Sequence, residues 1–279
     1  MIRYIIIFWY IFYCVRIWVA PWKFFQLNAD YFNRKKGIFS KQDINNLIPF
    51  QWRLNQYVTD KKTPPKTYPA FIKPEWGQNS YGIFRADNIK NFREISNHIQ
   101  HSQLNYLIQE AAKEGREFEI FYIRDASRLW NYKTMTITEV INTSGERHPV
   151  NSVHNTYTNY VDLTEKFTKD QQNSIWRLLS RIGNFKIARV AIKSNSIKNL
   201  INGEFHIVEI NLFAPMPINL LDPAVTLPAK LSFIRKSMLS LAKCTKAISK
   251  RQKRQNIFFR KLIMHYKVKH AISQSMDIQ

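Results

Sequence analysis

The chain has 279 residues, 45% of them hydrophobic and 22% charged, with a formal net charge of +22 at pH 7. That apolar content excludes a disordered chain and suffices for one large domain or two modest ones. The charge asks for a negative partner: nucleotide phosphates, nucleic acid or an anionic membrane surface. Cys14 and Cys244 allow at most one disulfide bridge and suit a reducing compartment, and the seven scattered histidines form no zinc motif.

In chain order, the first feature is the apolar run YIIIFWYIFYCV, Tyr4 to Val15, flanked by Arg3 and Arg16. It is shorter than the about 20 apolar residues that span a bilayer. Its rings suit a membrane interface; Arg3 also fits a signal segment, and a buried helix is the third reading. Thr59 to Pro69, TDKKTPPKTYP, is a linker or extended entry. PAFIKP and YGIFRA predict a hairpin with a long tip, and Ile89, Phe92, Ile95 and Ile99 mark a helix. In REFEIFYIRD, Phe118, Ile120 and Tyr122 alternate with Glu117, Glu119 and Phe121, a strand with one polar edge. DQQNSIWRLLSRIGN predicts a helix with the stripe Ile175, Leu178, Leu179 and Ile182, ended by Gly183. FKIARVAI is a strand, and the Asn-Gly of INGEFHIVEINLF signals a hairpin turn into another. From Pro228 to His270 there is no acidic residue, and Leu231, Ile234, Met238 and Leu241 form one stripe of a basic helix. Such a helix binds a membrane surface or partner, or packs on the core with a solvated basic face. Composition divides the chain at 1–66, 67–217 and 218–279.

Three groups of residues carry chemistry. Gly77 and Gly82 have the spacing of the outer P-loop glycines, but Ile83 and Phe84 follow where that motif needs Lys and Ser or Thr. The lysine comes first instead: Lys73, between Ile72 and Pro74, either meets an anion such as phosphate or faces water on an edge strand. Glu209 and Asn211, two apart on a strand, share a face and offer oxygen ligands suited to Mg²⁺, although any strand end can carry such a pair. Arg189, among apolar residues, wants a phosphate or carboxylate partner, the latter as an internal ion pair to a strand glutamate. No nucleic-acid module is present, which disfavours a specific nucleic-acid partner.

In this order, PAFIKPEWGQNSYGI, LIQEAAKEGREFEIF, ARVAI and VEINLFAPMP resemble the ATP-grasp fold, and within it D-alanine–D-alanine ligases and related carboxylate–amine ligases, over roughly residues 67–217. The resemblance implies an α+β fold of two subdomains enclosing a nucleotide cleft, preceded by a truncated N-terminal region and followed by a basic helical tail. It implies ATP and Mg²⁺ as cofactors, and an acyl-phosphate formed on a carboxylate substrate and attacked by an amine. Lys73 and the loop residues Gly77, Gln78, Asn79, Ser80 and Gly82 match the phosphate-binding positions. Gln109 and Glu110 match the adenine hinge, Glu117 the ribose position, Arg189 the transition-state arginine, and Glu209 and Asn211 the metal pair. Two departures stand out. Ala191 occupies the position of an expected metal-binding Asp, and the span before Thr67 is too short for the usual leading domain. The upstream family lysine has no clear match, Lys36 and Lys41 being the nearest. The alternative is a catalytically weak or inactive ATP-binding relative at a membrane surface. Either way the expected location is cytoplasmic, peripheral on the inner face of a membrane.

Overall fold

The computed structural model describes residues 2–77, 80–128 and 130–276, the side chains of 267–276 excepted. The helices are α1 (Ile2–Arg16), α2 (Lys41–Asn45), α3 (Ile89–Ile99), α4 (Lys169–Leu179), α5 (Ile197–Asn202), α6 (Leu227–Lys246) and α7 (Ile257–Met276). The strands are β1 (Gln56–Val58), β2 (Ala70–Pro74), β3 (Phe84–Ala86), β4 (Tyr106–Glu110), β5 (Arg116–Arg124), β6 (Tyr132–Asn142), β7 (Thr158–Asp162), β8 (Ile187–Ser194) and β9 (Phe205–Asn211). Two compact units result. Unit 1 combines Met1–Tyr31, Glu114–Ile141 and Asn159–Gln255; unit 2 combines Phe32–Lys113, Asn142–Thr158 and Asn256–Gln279. Each is α+β, the class that the sequence implies. Their limits cut across the composition boundaries: position 66 falls inside unit 2, and the basic tail is divided, α6 in unit 1 and α7 in unit 2.

Unit 1 is built on a five-stranded sheet of order β7-β6-β5-β8-β9. β8 lies antiparallel between β5 and β9, with Ala191 opposite Glu119 on one side and Glu209 on the other. Alternation sorts β5 into two sets. Tyr122 meets Trp176 of α4 edge-on at 5.1 Å. On the other face, Phe121 and Ile123 join Ile187 in a core with Tyr10 and Cys14 of α1 and Ile234, Met238 and Leu241 of α6. The apolar stripe of α6 is therefore spent on the core, and its cations form a solvated face. Cys14 and Cys244 are both free and buried. The predicted β8–β9 turn is replaced by a short helix. α5 ends at Asn202, and Gly203, at φ 84°, caps it with its N–H on the carbonyls of Asn199 and Leu200. An Asn-Gly pair offers left-handed backbone to a helix end as readily as to a hairpin. α4 stops at Leu179, capped by Ser180, short of Gly183. Gly183 serves close packing instead, since a Cβ there would stand 2.8 Å from the Phe185 ring.

Unit 2 carries a four-stranded sheet of order β1-β4-β2-β3. β2 and β3 form the predicted hairpin, with Ala70 opposite Ala86 and Ile72 opposite Phe84. Phe92 and Ile99 of α3 bury against Ala70, Ile72, Ala86 and Ile108. The segment between β6 and β7 belongs to this unit and is tied to the hairpin. Ser80 Oγ donates to the Asn151 carbonyl at 2.8 Å, and Arg85 Nη1 donates to the His148 carbonyl and to Glu146.

Candidate functional site

In unit 1, the sheet face that α1 and α6 cover at one end turns polar at the other. Opposed residues of an antiparallel sheet project to the same side, so the register assembles Thr138, Glu119, Ala191 and Glu209 in one row across β6, β5, β8 and β9. The flanking rows bring Glu117 beside Lys193, and Arg189 beside Asn211. The alternation expected for Glu209 and Asn211 is thus observed, and both share the face of Arg189.

Two ion pairs order this face. Lys193 Nζ lies 2.9 Å from Glu117 Oε2, and Arg189 Nε lies 3.3 Å from Glu119 Oε2. The second is the strand-glutamate pair weighed for Arg189 from sequence. It is imperfect: the two atoms stand at ion-pair distance, yet neither closes a hydrogen bond. Burial pushes the Glu119 carboxyl up to about 7, with Arg189 opposing and the Glu117 and Glu209 carboxylates adding to the rise. Tyr160 of β7 stands in the same field; burial first, then Glu119, pushes its hydroxyl up to about 12. Thr136 and Thr138 are almost wholly buried on this face, and their hydroxyls have no hydrogen-bond partner. Orphaned buried oxygens of this kind are what a site leaves for water, a cation or a ligand to satisfy. Among the described residues no three His, Cys, Asp or Glu side chains converge at metal spacing. The donor set is instead one or two carboxylates with an amide, which fits Mg²⁺ completed by water or phosphate oxygens.

In unit 2, Lys73 lies on β2 opposite Leu107 and is 3% exposed. It does not face water on an edge strand: β2 is flanked by β4 and β3, and Lys73 Nζ donates to Gln109 Oε1 at 2.9 Å. Two sequence-predicted residues, Lys73 and Gln109, are thus joined. Their neighbour Glu110 accepts the Asn55 N–H at 2.7 Å. Gly82, at φ 73°, and Ser80, at φ 59°, turn the chain at the hairpin tip. Gln78 and Asn79 lie outside the described residues. Glu75 at the loop entry is buried and held by Lys36 Nζ and Ser40 Oγ, each at 2.5 Å. That gives Lys36 a structural partner within the unit. A polar cavity of about 430 Å³ in unit 2, lined by Arg85, Asp87, Glu94, Glu146 and Tyr157 among others, contains none of the sequence-predicted residues.

The sequence pointed to Glu117, Arg189, Glu209 and Asn211 in unit 1, and these share one face. It did not single out Glu119, Thr136, Thr138, Tyr160 or Lys193 as site residues. The Glu117–Glu119 alternation was the available signal for the first, and the buried threonines have none without the β6 register.

No family model and no curated protein matches the chain. Solved structures similar to it include an L-amino acid ligase from Bacillus licheniformis, at 14% identity and a TM-score of 0.41, covering 62% of this chain and 40% of that one. D-alanine–D-alanine ligase from Bacillus anthracis complexed with ATP is 11% identical at a TM-score of 0.47, covering 74% and 66%. The VanG D-Ala:D-Ser ligase from Enterococcus faecalis is 12% identical at 0.46, covering 74% and 68%. The chain spans less than half the length of the L-amino acid ligase.

Proposed function

We propose that this chain is an ATP-dependent ligase that activates a carboxylate as an acyl-phosphate for attack by an amine. The observation that carries this reading is the polar face of the unit 1 sheet. There Arg189, Glu209 and Asn211 gather with buried, unpartnered oxygens, in a chain whose motifs resemble those ligases. A substrate carboxylate oxygen bonds to the γ-phosphorus of ATP and ADP leaves. The amine nitrogen then bonds to the acyl carbon, phosphate departs, and the nitrogen gives up a proton.

Such transfer depends on positioning and on cancelling negative charge. Lys73 supplies an ammonium to the ATP phosphates, with the backbone N–H groups of Gly77 and Gly82 as further donors. Gln109 and Glu110 hold adenine, and Glu117 holds the ribose. Arg189 balances charge on the acyl-phosphate. Glu209 and Asn211 hold Mg²⁺, which when bound neutralises phosphate charge. The second reading, an ATP-binding relative without turnover, draws on the methyl group of Ala191 between Glu119 and Glu209. A phosphate-release screen over pairs of carboxylates and amines separates them. The ligase gives Mg²⁺-dependent release only with a matched pair, and Lys73→Ala loses it. A relative without turnover shows ATP-induced stabilisation and no release with any pair.

We also infer a location: the cytoplasmic surface of an anionic membrane. Among the described residues no helix is long and apolar enough to cross a bilayer. α1 buries Tyr10 and Cys14, while Tyr4, Phe8, Ile11, Val15 and Trp18 remain exposed, Trp18 at 94%. Arg3 and Arg16 at its ends are exposed as well. Apolar side chains rimmed by cations, on a chain of +22, complement anionic headgroups, each close cation contributing about 1 kcal/mol. The protein should pellet with phosphatidylserine-containing vesicles and not with neutral ones, and Phe8→Ser/Ile11→Ser/Trp18→Ser should release it. Equal pelleting with both vesicles, or concentration-dependent dimers lost in that variant, would assign the face elsewhere.

A further inference from the structure

The core of unit 2 uses only one side of its last helix, α7. Ile257 is 1% exposed, and Met264 packs against the cluster that holds Ile72, Phe92 and Ile108. Arg260 lies along Gly37, where an added Cβ would stand 3.0 Å from its Cδ. These contacts fix which side of the helix faces the unit. At about 100° of rotation per residue, Ile257 and Met264 fall within about 20° of each other. Phe258, Phe259, Leu262, Ile263 and Tyr266 fan over an arc of about 140° centred on the opposite side. All five are exposed, between 41% and 70%. Large apolar side chains gathered on one exposed face mark a surface that meets a partner or a membrane.

Charge narrows the choice. By the same rotation, Arg260 borders one edge of the arc, and Lys261 and His265 border the other. Lys250, Arg251, Lys253 and Arg254 precede the helix in the chain and are exposed. No Asp or Glu occurs from Pro228 to His270. A second copy would set the same cationic border against itself, with no carboxylate in that segment to offset it. Single-stranded nucleic acid stacks on rings and leaves Leu262 and Ile263 in water. An anionic bilayer takes rings, aliphatic side chains and flanking cations together.

We propose that α7 is a second membrane-contacting element, whose exposed apolar face enters the headgroup region of an anionic bilayer while the bordering cations meet lipid phosphates. The proposal rests on the location inferred above from α1, and it adds the second signal that stable attachment needs. The apolar stripe of α6 cannot supply that signal, because Ile234, Met238 and Leu241 are buried in unit 1.

The test uses the full chain with a polarity-sensitive dye on Phe259→Cys, which labels selectively because Cys14 and Cys244 are buried. Phosphatidylserine-containing vesicles should shift the dye emission to the blue, phosphatidylcholine vesicles should not, and spin-labelled lipid should quench it. Leu262→Ser/Ile263→Ser should raise the lipid concentration for half-maximal pelleting about tenfold or more. Lys253→Gln/Arg254→Gln should raise it about fivefold or more. A dye left unshifted while the labelled chain pellets, or unchanged pelleting in either double variant, overturns the proposal and leaves α1 as the membrane face. A blue shift that follows protein concentration without lipid would assign the face to a second copy, and one produced by polyglutamate but not by vesicles to an acidic protein; either overturns it. A wild type that does not pellet with anionic vesicles removes the α1 location as well.

Discussion

Breaking the Glu117–Lys193 pair tests how dry the polar face is. Lys193 Nζ stands 2.9 Å from Glu117 Oε2, directly across β5 and β8, with each side chain 15% exposed. At that distance and an effective dielectric constant of about 20, the attraction is about 6 kcal/mol. Dehydration of two ions offsets most of it, so the pair adds little over a well-packed neutral replacement. Losing one partner is different, because the other charge stays in a poorly hydrated place. Lys193→Met and Glu117→Gln should therefore each cost about 3 kcal/mol. The double variant should cost clearly less than their sum, giving a coupling of about 2 kcal/mol. Urea denaturation of the four proteins supplies the cycle. Additivity within about 0.5 kcal/mol would mean that water screens the face, and the argument from buried, unpaired oxygens would fail with it.

Three further outcomes follow from particular contacts. Gly183→Ala forces a Cβ into the Phe185 ring, where only 2.8 Å is available, and should lower stability by about 1–3 kcal/mol in chemical denaturation. Thr168 caps α4 in a reciprocal box with Gln171, so Thr168→Ala should cost about 1 kcal/mol, most of it kept in Thr168→Ser. Asp60 accepts the backbone N–H groups of Thr63 and Lys62 and the Thr63 hydroxyl, which pull its carboxyl from 3.8 to about 2. A depressed carboxyl stabilises the fold above its unfolded pKa and loses that contribution as pH falls through the folded value. Asp60→Asn should therefore remove part of the stability change between about pH 4 and pH 2, and an NMR titration should place wild-type Asp60 near the lower limit.

What could be read from sequence follows the strength of each periodic signal. β2, α3, β5 and β8 were legible because Ile72, Phe92, Phe118 and Val190 repeat with the period of their element and face a core. β6 was not read: its inward positions on one face are Thr136 and Thr138, which look like surface residues although both are buried. Buried hydroxyls on that face carry no apolar alternation, so the strand has no periodic signal there. Asn202-Gly203 misled for another reason, since two turn geometries use the same left-handed backbone. Lys73 and Gln109 match separate positions of the ATP-grasp pattern, and the hydrogen bond between them comes only with the β2–β4 register. The place of Glu119 on the polar face depends on two pairings at once, to Thr138 and to Ala191, neither of which is visible along the chain.

The central claim is nucleotide binding by Lys73. Calorimetric titration of ATP into the full chain, with and without Mg²⁺, tests it most directly, in wild type and Lys73→Ala. Saturable binding that Mg²⁺ strengthens, weakened about tenfold or more by removing a charge-assisted phosphate contact, is the expected result. A wild type that takes up no ATP, or a Lys73→Ala protein that binds it equally well, would contradict the account.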